Sequence, residues 1–268
     1  MRTAFRPLGF ALALCLPAVA LPQTASAELA PHRAVYDISL DRVNGSRGIA
    51  TANGRMVLNW RDVCDGWATD MDLRVTLFDP EGEEMRFGMI VSSWESKDGR
   101  RYRFLVKERA TFMAPTDYKG EATLDSALAG QARFSEPESQ TLSLPQGTLF
   151  PTAHSLAVLA AAEAGEVFLS APLFDGSEND PEALVTASAT ILGPMTDAGE
   201  GLPRLAETPY YGVTLAFFEA GDEQPLPTHE VTLRLYANGV ADRQLFDYGD
   251  FVLAADIGEL SYHPDPGC

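Results

Sequence analysis

Two cysteines, a histidine–serine pair, an acidic cluster and a basic stripe are the residues whose types and spacing could support chemistry. Cys64 and Cys268 stand 204 residues apart. A redox pair favours close spacing such as C-x-x-C, which is absent, so the expectation is a structural disulfide tying the C-terminal tail to an early strand. Chain entropy puts the ceiling for closing such a loop at about 5 kcal/mol. His154 and Ser155 place an imidazole beside a hydroxyl. Neighbours on a helix point about 100° apart, so adjacency does not align a base with its nucleophile. No G-x-S-x-G elbow accompanies them, and His154 is expected to cap or pack the first helical turn. His32, His154, His229 and His263 are scattered without metal-ligand spacing. Residues 175–180 concentrate oxygen ligands but lack the EF-hand order, and read as a solvated acidic loop. No catalytic residue, metal or cofactor is assigned.

The basic stripe departs from the background. Lys97, Arg100, Arg101, Arg103, Lys107 and Arg109 crowd one segment against only Asp98 and Glu108. On a strand, Arg101, Arg103, Lys107 and Arg109 share one face while Tyr102, Phe104 and Val106 share the other. This face is the candidate binding surface, suited to an acidic protein, an anionic lipid headgroup or a cell-wall polymer. The plainer reading is that it pairs with acidic neighbouring strands on a wet sheet face.

The elements that must carry these residues are mostly strands. Period-two alternation puts Ala34, Tyr36, Ile38 and Leu40 on one face of the first run. Asn44-Gly45 is a hairpin signal, and residues 48–63 follow as a second strand region. Trp67, Thr69, Met71, Leu73, Val75 and Leu77 alternate with polar residues in a third run; Met85, Phe87, Met89 and Val91 face one way in a fourth. Lys97-Asp98-Gly99 turns into a fifth strand over 101–112. Residues 184–192 and 212–218 are further candidates, and 228–236, an Asn238-Gly239 turn and 243–253 suggest another meander. About a dozen strands are expected: a mainly β, antiparallel β-spiral or open barrel. One helix interrupts it near residues 151–164, with Pro151 at its start and Gly165 past its end. Its faces are nearly all apolar or alanine, so it should be buried, plugging or lining one mouth. Residues 175–182 and 196–203 are expected to be the mobile segments.

Residues 1–27 read as a signal peptide. Arg2 and Arg6 precede an apolar stretch, and Ala25-Ser26-Ala27 offers a cleavage site. Leu14 before Cys15 spoils a lipidation box, and Cys15 leaves with the signal. Residues 28–268 then form a single domain without a transmembrane helix, so an integral membrane protein is not expected. The chain carries −18, from 20 Lys+Arg against 38 Asp+Glu. Without Arg2 and Arg6, 18 basic residues face 38 acidic ones, a balance of −20. Such a surface repels phosphate backbones and makes nucleic acid an unfavourable partner.

The segment from Leu29 to Asp37, Cys64-Asp65-Gly66-Trp67, Phe150-Pro151-Thr152-Ala153-His154 and a C-terminal Cys268, behind an export signal, together resemble the cell envelope integrity protein EipB family of alphaproteobacteria. The resemblance covers essentially the whole chain after the signal. It implies a periplasmic β-spiral protein with one internal disulfide, which Cys64 and Cys268 match. It also implies a role in maintaining the envelope, with no catalytic residues to carry over. The expected function is non-enzymatic binding of another envelope component, either a docked protein or a lipid-like ligand. A lipid-carrying version requires an apolar cavity left unfilled by the helix. The alternative is a hydrolase or transferase acting on cell-wall or lipid substrates, built around His154 with Ser155 or around acids brought together by folding. Oligomeric state is left open.

Overall fold

The computed structural model describes residues 29–45, 48–196, 202, 205, 208–220 and 226–268. The expected signal peptide and most of the 196–203 segment lie outside them. Among the described residues there are fourteen strands and one α-helix. The first eight strands are β1 (His32–Val43), β2 (Thr51–Asp62), β3 (Gly66–Phe78), β4 (Glu84–Ser96), β5 (Arg101–Ala110), β6 (Met113–Leu124), β7 (Gly130–Glu136) and β8 (Gln140–Leu144). Helix α1 (Pro151–Glu163) follows, then β9 (Phe168–Leu173), β10 (Val185–Met195), β11 (Tyr210–Glu219), β12 (His229–Tyr236), β13 (Ala241–Asp247) and β14 (Phe251–Tyr262).

All fourteen join one antiparallel sheet in the order β8-β7-β6-β5-β4-β3-β2-β1-β14-β13-β12-β11-β10-β9. The first and last strands meet at its centre, where β1 pairs with β14. Each half of the chain meanders outward from that seam, so the short edge strands β8 and β9 lie at opposite ends of the order. They curl toward each other without closing. Leu149, between β8 and α1, forms a parallel bridge with Leu173: its N–H donates to the Pro172 carbonyl at 2.9 Å and its carbonyl accepts from Phe174 at 3.0 Å. Register shifts in five of the strand pairs supply local bends and extra twist.

The alternation is borne out face by face: Ala34, Tyr36 and Ile38 are buried together with Met56, Val75 and Leu253. The count rises from about a dozen to fourteen. Residues 243–253 are two strands separated by a turn at Tyr248–Asp250, because β13 and β14 pair with each other. Asn44-Gly45 does not close a two-residue hairpin. Both N–H groups donate to the Asp250 carbonyl, at 2.8 and 3.1 Å, so the end of β1 follows β14 and β2 joins further back. The Asn238-Gly239 turn stands as expected, with Gly239 at φ 85°, where a side chain would be strained.

Helix α1 starts at Pro151 as anticipated, but only one side is buried. Thr152, His154, Val158, Leu159 and Ala162 face inward, whereas Ser155, Ala160 and Glu163 are exposed. Alanine tolerates either environment, so apolar composition overstated the burial. The helix packs on β9 and β10, its core extended by Trp60, Tyr211, Val213 and Leu235. Strand alternation brings the start of β1, the β2–β3 turn and α1 to one end of the curled sheet, which the helix closes.

Candidate functional site

At the helix end, the bridge forms as predicted: Cys64 and Cys268 are disulfide-bonded with a Cα–Cα distance of 5.8 Å. It fastens the tail beyond β14 to the β2–β3 turn. Ahead of it, the His263 N–H donates to the Pro31 carbonyl at 2.8 Å and its Nε2 lies 2.7 Å from Asn59 Oδ1.

Helix α1 has no capping side chain of its own, since Phe150 occupies the N-cap. Glu95, at the end of β4, supplies one from across the fold. Its Oε2 accepts from the Thr152 N–H and its Oε1 from the Ala153 N–H, each at 2.8 Å. These are two of the first-turn donors that a helix cannot satisfy internally. Glu95 is only 3% exposed, and burial pushes its pKa up to about 7 against the opposing pull of these hydrogen bonds. Sequence reasoning missed Glu95 because its partners lie more than fifty residues away.

His154 is packed and is not a cap, with Nε2 unpartnered and burial lowering its pKa to about 4. The Ser155 hydroxyl donates instead to the Pro151 carbonyl at 3.0 Å. The two side chains thus make no base–nucleophile pair. Among the described residues, no three His, Cys, Asp or Glu side chains gather as a metal site.

The interior holds space that the helix does not fill. One cavity of about 480 Å³ lies between the inner faces of β3–β5 and β10–β13, with walls including Met71, Met89, Val91, Val106 and Val231. A second, of about 310 Å³, lies toward the far end among Leu73, Val75, Leu77, Phe87 and Leu253. Phe246 lines both. Exposed Phe112, Met113 and Tyr248 also line the outer one. These are the inward faces that period-two alternation assigned to the third and fourth runs.

The acidic loop after β9 forms one margin of the inner cavity. Phe174 is buried among Tyr102, Phe104, Phe134 and Phe150. The Tyr102 hydroxyl donates to the Asp175 carbonyl at 3.0 Å, and Gln140 Nε2 to the Asn179 carbonyl at 2.7 Å. The loop therefore crosses the gap between the sheet edges, anchored at both ends of its first half. Asp175 and Glu178 stand at the cavity with Glu108, which points inward from β5. Burial, together with the charges of Glu178 and Asp175, raises the Glu108 pKa. Facing them, His229 is stacked on Phe217 at 4.4 Å, and burial lowers its pKa against the pull of Asp175.

The basic stripe lies outside. Arg101, Arg103 and Arg109 are exposed and Lys107 partly so, while Tyr102, Phe104 and Val106 are buried on the opposite face. Arg109 and Lys107 share Asp117 on β6, at 2.6 and 3.9 Å. Arg103 and Arg101 lie over the Trp94 ring at 4.4 and 5.3 Å.

A family model described as EipB-like matches residues 23–264. The chain is 30% identical over 246 residues to the cell envelope integrity protein EipB of Brucella abortus (strain 2308), covering 89% of this chain and 86% of that protein. The fold matches a crystal structure of a β-barrel-like protein of a domain of unknown function from Brucella abortus. That match has a TM-score of 0.79 and 28% identity, covering 88% of this chain and 99% of the other.

Proposed function

The chain belongs to the EipB-like family, and on that premise we propose that it is an exported, non-enzymatic periplasmic factor supporting cell envelope integrity by holding a lipid-like envelope molecule inside its curled sheet. The role in envelope integrity follows the name of the Brucella relative. None of the matched descriptions names an enzymatic activity, and no helix among the described residues is long and apolar enough to cross a membrane. Removal of residues 1–27 would deliver the chain to a compartment where the Cys64–Cys268 bridge persists.

The observation that carries the ligand reading is the interior space. Cavities of about 480 and 310 Å³ fall within the roughly 300–1,000 Å³ range of small-molecule sites. The outer cavity is walled almost wholly by methionine, branched aliphatic and aromatic side chains, and the inner one carries the same kinds on its sheet walls with Glu108, Asp175, Glu178 and His229 at one margin. The apolar walls gain by covering an apolar chain. Methionine adapts to chains of varied shape.

The test is native mass spectrometry of the protein purified gently from periplasm, beside titration with a fluorescent fatty acid. A reproducible apolar adduct is expected, along with fatty-acid binding weakened at least tenfold in a Val91→Trp variant that fills the inner cavity. A bare protein that binds no fatty acid, or binding untouched by Val91→Trp, would overturn the reading.

A further inference from the structure

The outer face of β4–β7 is a second site, independent of what the interior holds. We propose that it docks an extended acidic segment of a partner protein. The face is concave: a trough of about 620 Å³ is lined by Trp94, Arg103, Leu105, Lys119, Glu121 and Arg133. The register shift between Lys119 and Gly120 bends β6 against β7 here. Gly120 permits the close approach, since a Cβ there would fall 2.4 Å from the Arg133 carbonyl oxygen and 2.8 Å from Phe104 Cζ.

The trough's cations are left under-neutralised. Arg103, Glu121 and Arg133 are cross-strand neighbours in one row, so a single carboxylate sits between two guanidiniums. Asp70, at the margin, is already paired to Arg61 at 2.6 Å. Arg101, Arg103, Lys119 and Arg133 make no salt bridge among the described residues. Stacking on Trp94 holds two of these guanidiniums in place without cancelling their charge. On a chain of formal charge −18, this face attracts acidic partners that the remaining surface repels, which fixes how they approach.

Spacing selects the occupant. Along β5, Arg101 and Arg103, neither of them in a salt bridge, stand at alternate positions with Leu105 next in the row, a step of about 7 Å, while Lys107 and Arg109 beyond Leu105 already share Asp117. An extended peptide with acidic residues at alternate positions presents carboxylates at the same step. Leu105 and Trp94 offer an apolar floor for one intervening apolar side chain. A lone phosphate or lipid headgroup would engage one or two of these cations and leave the row unused.

The experiment is fluorescence anisotropy with the mature, disulfide-bonded protein and a labelled peptide carrying glutamate at alternate positions around a central leucine. The comparisons are a peptide of the same composition with its glutamates in one block, inorganic phosphate, and phosphatidylglycerol vesicles. Binding of the alternating peptide is expected to weaken with salt. It should fall at least tenfold in Arg103→Glu/Lys119→Glu/Arg133→Glu and be unchanged in Arg33→Glu, a cation on β1. The glutamine substitutions at the same three positions should give an intermediate loss, which keeps the test valid if charge reversal unfolds β5–β7. No binding, equal binding of the blocked peptide, or equal loss in Arg33→Glu would overturn the proposal. So would phosphate or vesicle binding that the triple variant abolishes while the peptide is ignored.

Discussion

Replacing Glu95 with glutamine should remove a pH response of stability that runs opposite to that of most carboxylates. The Glu95 side chain is 3% exposed and holds the first turn of α1 through two backbone N–H groups. Burial raises its pKa from 4.5 to about 7 in the folded protein. Between those values the folded state keeps a proton that the unfolded state has released. The associated stability is fully present below pH 4.5 and is lost as pH rises through about 7. At about 1.4 kcal/mol per pH unit, the span is about 3 kcal/mol. Glutamine keeps the shape and does not titrate. The stability of the natural protein minus that of Glu95→Gln should therefore fall by about 3 kcal/mol between pH 4.5 and pH 8. His154 has the opposite profile: burial lowers its pKa from 6.5 to about 4, so its contribution is present above pH 6.5 and lost as pH falls toward 4. Because His154 is present in both proteins, it cancels in the difference. Urea unfolding followed by tryptophan fluorescence at three pH values measures that difference. Parallel profiles, or a gap that widens at high pH, would refute the reasoning. Either result would mean that the positive end of the helix keeps Glu95 ionised despite its burial.

Two further substitutions probe how the sheet is held. Cys268→Ser should cost up to about 5 kcal/mol by releasing a 204-residue loop in the unfolded chain. The Asp265–Cys268 segment is exposed and the Gly267 N–H donates to Asp265 within the segment itself, so little native packing is lost; an unchanged urea midpoint would show that His263 alone holds the tail. Phe174→Ala should cost about 3–5 kcal/mol, because the ring is 3% exposed and meets four aromatic neighbours. It should also make the following acidic loop the first site of proteolytic nicking, and unaltered stability and cleavage would refute its role as the anchor between the sheet edges.

What was legible in the sequence was local, and period two carried most of it. The faces of β3 and β4 could be assigned from alternation alone, and they are the walls of the interior. What was hidden depended on distant segments. Glu95 reads as one more acid in an acidic chain until β4 brings it against the start of α1. Asn44-Gly45 has the chemistry of a tight hairpin, yet Asp250, some two hundred residues on, takes its hydrogen bonds. The loop after β9 has the composition of a mobile segment, but Phe174 and the Tyr102 hydroxyl pin its first residues. An unfilled interior has no signature in composition at all, because it depends on how tightly fourteen strands curl.

Glu108 shows how linear charge counting goes astray on a strand. It sits between Lys107 and Arg109 and, counted along the sequence, dilutes the basic stripe. Strand alternation sends it through the sheet to the inner cavity, beside Asp175 and Glu178. The outer face is thereby more basic than its segment, and the inner wall more acidic. One run of residues thus builds two opposite electrostatic environments a single sheet thickness apart, so an acidic segment outside and an apolar ligand inside can be recognised without competing for the same side chains.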